Sequence, residues 1–252
     1  MPLDGWLEFD TNGVLDGGLN SLGGINLPAG SVFFPVGAPE GDHAALVFLF
    51  TSTGQGPAGF RQVLDETLQP NTTYTLSVQV GNIATGQGPP PCDVFGVFNL
   101  EGFPGYQVQL LAGGEVIAED DNSLAGVLGE GEFGLSTREA VIGATHDQLG
   151  QNLEIRLINL NEAETPDNPG VEVDFDDVQL FARSNISAAI GDLDCDGDID
   201  LADYGFFEPC MDGPDQAPAG TCADGIDADL DEDGDVDLLD FRVLASAIAN
   251  LP

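Results

Sequence analysis

Two stretches of the sequence set aspartates at the spacing a hard divalent cation needs. In the first, Asp192, Asp194, Asp196, Asp198, Asp200 and Asp203 fall at positions 1, 3, 5, 7, 9 and 12 of a loop, with Gly197 at position 6. In the second, Asp229, Asp231, Asp233, Asp235, Asp237 and Asp240 repeat that register around Gly234. Calcium prefers six to eight oxygen ligands in a flexible geometry, and the glycine supplies the sharp turn. Position 7 ligates through its carbonyl and position 9 often through water. Asp at position 12 is shorter than the Glu of sensor loops, so the spacing predicts two structural calcium sites. Ile199 and Val236 fall at position 8, where an apolar side chain can pair one loop with the other.

Charge supports this reading. The chain has 44 acidic residues against five basic ones, for a net charge of −39. All five basic residues are Arg. Such a balance argues against nucleic acid and anionic membranes as partners, because both require basic patches. Residues 185–252 alone carry 16 Asp and two Glu against Arg242, a segment that repels itself unless cations neutralise it. Apolar residues after each loop have helical spacing: Tyr204, Phe206 and Phe207 follow the first; Phe241, Leu244 and Ile248 follow the second. Each unit therefore reads as loop then helix.

Four cysteines are present: Cys92, Cys195, Cys210 and Cys222. None forms a C-x-x-C pair, which argues against a zinc ribbon or redox dithiol. Cys210 and Cys222 flank the insertion between the loops, and a disulfide there would contribute about 3 kcal/mol. A Cys92–Cys195 bridge and free thiols stay open as alternatives.

The tail resembles a type I dockerin over residues 190–250. The resemblance rests on the two Asp-x-Asp-x-Asp-Gly-Asp-[Ile/Val]-Asp-Leu-x-Asp runs at 192–203 and 229–240. It implies a duplicated calcium module that anchors secreted proteins to cohesin-like partners. Positions 10 and 11 depart from the family's recognition residues, being Leu201-Ala202 and Leu238-Leu239. Loops of this composition are similar to those of planctomycete-type bacterial surface proteins.

Residues 1–183 read as short strands separated by turns. Tyr74, Leu76, Val78 and Val80 alternate with Thr75, Ser77 and Gln79, the pattern of a half-buried strand. Ala45–Thr51 is a continuous apolar run suited to a central strand. Tyr106–Leu110, Leu153–Leu157 and Val171–Phe175 alternate in the same way, with Glu172 and Asp174 on the polar parity. The apolar parity of the last strand slips after Phe175 and resumes at Val178, which predicts a β-bulge near Asp176-Asp177. Residues 81–104 and 119–131 read as long loops. The expected fold is mainly β: an antiparallel β-sandwich, preferably a jelly roll, then a linker at 184–190 and the small α module at 191–252.

The sandwich loosely resembles galactose-binding-like jelly rolls of carbohydrate-binding modules, through Tyr74–Val80, Gly105–Leu110 and Val173–Val178. That implies sugar or surface binding and a third calcium site, for which Glu8, Asp10, Asp176 and Asp177 are candidates. Trp6 is the candidate ligand contact. His43 and His146 lie far apart in sequence and lack a nucleophile motif.

No stretch reaches the ~20 apolar residues of a membrane span. The start, Met1–Trp6, has neither a basic nor an apolar signal region. Together these features lead to an expectation of a non-catalytic, extracellular or cell-surface calcium-binding protein, not an enzyme. In that reading the sandwich binds or attaches, and the partner is a cohesin-like protein, a surface glycan or copies of the chain itself. A filament-forming structural protein is the alternative, and a polysaccharide-active enzyme the third reading.

Overall fold

The computed structural model describes residues 5–16, 20–50, 56–88, 94, 96–162, 170–184, 191–194, 196, 198–216, 219–223 and 226–249. The chain divides into two compact units, Met1–Arg183 and Ser184–Pro252.

The first unit is an antiparallel β-sandwich. Its strands in chain order are β1 (Leu7–Asp10), β2 (Ser21–Asn26), β3 (His43–Phe48), β4 (Ala58–Thr67), β5 (Thr72–Asn82), β6 (Gly86–Gln87), β7 (Val97–Phe98), β8 (Tyr106–Ala112), β9 (Glu115–Asp121), β10 (Glu132–Ile142), β11 (Asn152–Asn159) and β12 (Glu172–Ser184). One sheet has the order β1-β4-β11-β8-β9 and the other β10-β5-β12-β3-β2, with β6 and β7 forming a small ribbon. The alternating parities meet between the sheets: Tyr74, Leu76, Val78 and Val80 face Val108, Leu110, Ile155 and Leu157 in one core. Both tyrosines identified from sequence are buried. Residues 81–104, expected as loop, instead hold the end of β5 and the β6–β7 ribbon, and β9 occupies the start of 119–131.

Local chemistry explains the joints. Gly113 and Gly114, at φ 56° and 88°, turn β8 into β9, a conformation that suits a two-residue hairpin. Asp177 sits at φ 47° within β12. It is the extra residue of the bulge, and Val178 and Leu180 return to the core side beyond it.

Asp120 on β9 ties the two sheets together. Its wholly buried carboxylate accepts from Tyr106 Oη at 2.7 Å, Ser136 Oγ at 2.6 Å, Ser123 Oγ at 2.8 Å and Arg138 Nη2 at 2.8 Å. Burial alone would raise its pKa, but the hydrogen bonds from Ser136, Tyr106 and Ser123 outweigh it and hold the group below 3.8. Burial pushes the Tyr106 hydroxyl up to about 12, so it remains a donor. A depressed folded pKa contributes stability above the unfolded value, and that contribution disappears as pH falls through the folded value. Asp120→Ala strands several buried donors and is expected to cost about 3–5 kcal/mol in urea unfolding. A loss below ~1 kcal/mol would refute the network's role.

The second unit contains α1 (Leu201–Phe207), followed by a single 3-10 turn, and α2 (Leu238–Ala249). Leu193, Phe207, Ala228, Val236 and Leu244 form its small core, with Ile199 and Ile248 packed against it. No helix among the described residues is long and apolar enough to cross a membrane.

Candidate functional site

β12 runs through the middle of its sheet, between β5 and β3. Val173 and Phe175 enter the core between the sheets, which turns Glu172 and Asp174 to the opposite face. That face is covered, not solvated. Glu172 lies opposite Phe48 and Asp174 opposite Leu46 on β3. Leu27, Phe34, Ile83 and Leu100 form a second apolar cluster over this face, with Phe33, Phe48 and Phe133 packed on it. Segment 27–42 is folded against itself by Leu27 N–H to the Asp42 carbonyl at 2.7 Å and Ala38 N–H to the Leu27 carbonyl at 2.9 Å. Phe34 stacks on Phe133 with ring centroids 4.4 Å apart.

Beneath this cover Glu172 is 6 % exposed and Asp174 is 0 % exposed. Gly81 on β5 makes room for the second carboxyl. A Cβ at that position would lie 3.0 Å from Asp174 Cβ and 2.7 Å from the Phe133 ring. Oε1 of Glu172 and both carboxyl oxygens of Asp174 are buried without a hydrogen-bond partner. A carboxylate so placed is strongly disfavoured, and the group protonates instead. Burial pushes Glu172 up to about 7. Burial, followed by repulsion from Glu172, raises Asp174 well above the usual carboxylate range. The two titrate as a pair that keeps a proton at neutral pH.

Glu172 opens into a cavity of about 820 Å³ lined by Phe33, Phe48, Ile83, Phe98 and Leu100. It is the one ionisable group among the described lining residues. A neutral carboxyl in an aromatic-lined cavity can protonate a π bond, and the ring faces stabilise the cation that results.

Sequence reasoning placed Glu172 and Asp174 on a polar, outward parity; the structure corrects this. A signal was present: Leu46 and Phe48 make β3 apolar on both parities, so the outer face next to β12 had to be covered.

The aspartate loops assemble locally in the second unit. Asp192, Asp194 and Asp203 each offer a carboxylate oxygen within 4.8 Å of the others, as do Asp198, Asp200 and Asp203. Asp229, Asp231 and Asp240, and Asp235, Asp237 and Asp240, do so in the second loop. Asp196 and Asp233 serve as turn formers, accepting the Asp198 and Asp235 N–H groups. The loops share the same bonds to position 12. Asp203 Oδ1 accepts from Leu193 N–H at 2.6 Å and Asp240 Oδ1 from Leu230 N–H at 2.7 Å, while their Oδ2 atoms accept from Asp200 and Asp237 N–H. These bonds also cap α1 and α2. The Asp196 carboxylate raises the pKa of Asp198, the sign of a site that favours a cation. Oδ1 of Asp192 and Oδ1 of Asp235 are buried with no partner. The donor set is all oxygen and fits a hard cation.

Cys210 and Cys222 form a disulfide. Cys92 and Cys195 lie outside the described residues. Trp6 packs edge-on against Phe60 at 6.3 Å and lines a separate hollow of about 700 Å³ with His43 and Leu180. This hollow and the carboxyl chamber share only Gly24 among their lining residues. Among the described residues, Glu8, Asp10, Asp176 and Asp177 are not part of a carboxylate cluster. Asp10 is taken up by the N–H groups of Asn12, Val14 and Leu15, and Asp176 by that of Glu40.

A family model described as HpiC1-like, HpiC1 cyclase, matches residues 1–181. The chain belongs to this family. Fisc, a Stig cyclase from Fischerella sp. TAU in complex with (3Z)-3-(1-methyl-2-pyrrolidinylidene)-3H-indole, is 36% identical, with a TM-score of 0.61 over 72% of this chain and 86% of that one. A cyclase from Fischerella sp. TAU in complex with 4-(1H-Indol-3-yl)butan-2-one is 35% identical, with a TM-score of 0.60 over the same shares of 72% and 86%. An apo cyclase from Fischerella sp. is 34% identical, at a TM-score of 0.59 over 72% and 84%. No curated protein matches the chain.

Membership of a cyclase family overturns the expectation of a non-catalytic binding or attachment module, and with it the answer that the chain is not an enzyme. The sugar-binding reading of the sandwich gives way for the same reason. The family match ends at residue 181, and the comparisons lend the dockerin resemblance of the tail no support.

Proposed function

We propose that the sandwich is an acid-dependent cyclase for an apolar substrate bearing an indole or a similar electron-rich ring. The observation that carries this is the buried carboxyl pair, Glu172 and Asp174, of which Glu172 opens into an aromatic cavity. The protonated pair gives its proton to a carbon of the substrate's π system. A second π bond of the same molecule attacks the cation, and a carbon–carbon bond forms. The proton lost from the new ring returns to the carboxylate, so substrate and product are isomers and no redox partner is consumed. Phe33, Phe48 and Phe98 hold the substrate folded and exclude water, which would otherwise capture the cation. The indole ligands named for the two Fischerella cyclases support the substrate class.

The test is incubation of the chain with an indole carrying an unsaturated side chain. A cyclised product of unchanged mass is expected in water, carrying one solvent deuteron when formed in D2O. Turnover without deuterium uptake would rule out the proton-donor role.

We further propose that the tail holds two calcium ions. Asp192, Asp194, Asp196, Asp200 and Asp203 supply the first site with the Asp198 carbonyl, and their counterparts from Asp229 to Asp240 the second. The partnerless Oδ1 atoms of Asp192 and Asp235 support this. Calcium would supply charge neutralisation to the tail. Asp194→Ala and Asp231→Ala are each expected to remove one ion per chain by calorimetry; a stoichiometry unchanged at two would refute the assignment.

A further inference from the structure

The two aspartate loops share the bonds to position 12 but differ in what touches them from outside. Position 7 shows the difference. Asp198 in the first loop is exposed, whereas Asp235 in the second is 7 % exposed. The cover comes from the insertion between the loops. Asp215 N–H donates to Asp235 Oδ2 at 2.5 Å, and the N–H groups of Asp212 and Gly213 both reach the Val236 carbonyl at 3.2 Å. All three donors lie inside the ring closed by the Cys210–Cys222 disulfide. The base of that ring is pinned by Ala219 N–H to the Cys210 carbonyl at 3.0 Å and by the Thr221 hydroxyl to the Pro209 carbonyl. One oxygen of Asp235 is therefore held by the ring. The other, Oδ1, is buried without a partner, and the carboxylate lies in the cluster with Asp237 and Asp240. Among the described residues, no N–H from outside the first loop reaches Asp198.

We propose that the disulfide-closed ring 210–222 is a clamp that, by holding the Asp235 side chain and the Val236 carbonyl, presets the backbone carbonyl of Asp235 at position 7 for a divalent cation, which makes the second loop a redox-dependent calcium site and leaves the first loop independent of redox state. This rests on the reading that both loops bind calcium. The physical basis is preorganisation. A neighbour that fixes a ligand's orientation typically changes metal affinity by about 10–100-fold. Opening the ring restores chain freedom to 211–221 and lets the three N–H groups leave the loop. Cys210 is buried, but Cys222 is partly exposed, so a small reductant can reach one sulfur.

The experiment titrates calcium chloride into the full chain by calorimetry, oxidised and after reduction, in two single-loop variants. Asp194→Ala keeps the second loop and is expected to lose about tenfold or more in calcium affinity on reduction. Asp231→Ala keeps the first loop and is expected to show the same affinity in both states. A Cys210→Ser, Cys222→Ser double variant should behave as the reduced chain without any reductant present. Equal affinity of the Asp194→Ala chain in both states overturns the clamp while leaving calcium binding intact. Equal losses in both single-loop variants overturn it too, because reduction would then have unfolded the whole tail. An oxidised parent chain that takes up no calcium overturns the loop reading and the clamp together.

Discussion

Replacing Asp174 with Asn, or Glu172 with Gln, is expected to lower cyclisation by about 10²–10⁴-fold, the range for loss of a positioned general acid. The double variant should be scarcely worse than either single one, since groups that act as a unit do not lose rate additively. In the parent chain, turnover should decline as pH rises through about 7, where burial has placed Glu172. Native stability should also fall as pH rises toward that value. In the unfolded chain Glu172 ionises near pH 4.5, so between there and about 7 the unfolded state binds fewer protons than the native one. Native stability therefore falls over that window as pH rises. For Glu172 alone the loss is on the order of 3 kcal/mol by pH 7. Neutral Asn or Gln removes that penalty, so the inactive variants should be more resistant to urea than the parent at pH 7–8 and no more resistant at pH 4. A purely structural pair would lose stability and activity together. Variants that cyclise substrate at the parental rate would sink the assignment of the acid.

Chelation of divalent cations is expected to melt the C-terminal unit and leave the sandwich folded. The tail holds 16 Asp and two Glu in 185–252, and its apolar core is small. Its helices begin on residues that also close the loops: Asp203 and Asp240 are wholly buried at the first turns of α1 and α2. Burying these carboxylates beside so many others is favourable with a divalent cation and costly without one, so metal affinity becomes folding free energy. At calcium 100 times its dissociation constant, each ion adds about 2.7 kcal/mol to the folded unit. Far-ultraviolet circular dichroism with and without a chelator is the measurement. The helical signal should vanish while the β signal persists, and only the tail's unfolding temperature should rise with added calcium. A helical signal indifferent to chelation would refute the dependence. The Asp120 network lies in the other unit and should behave identically in both conditions.

The sandwich was legible because strand pairing writes a period of two into the chain. Tyr74–Val80 and Leu153–Leu157 announce their buried parity whatever they pair with. The bulge at Asp177 was legible for the same reason, as a slip in that period. The aspartate loops were legible because their geometry is local: six side chains and one glycine within twelve residues need no distant partner to converge. The catalytic reading was not. Glu172 and Asp174 have the alternation of solvent-facing residues, and nothing within β12 contradicts it.

What the amino-acid order determined by itself, then, is every feature whose partners lie within a turn or a strand: the paired cation loops, the buried parities and the mainly β architecture. What only the tertiary structure decided is the ionisation of two carboxyls. Segment 27–42 and residues Ile83, Phe98 and Leu100 close over the outer face of β12 from positions some 70 or more residues away in the chain. A carboxyl's proton affinity depends on the water it loses, and that water is removed by residues no local pattern connects to it.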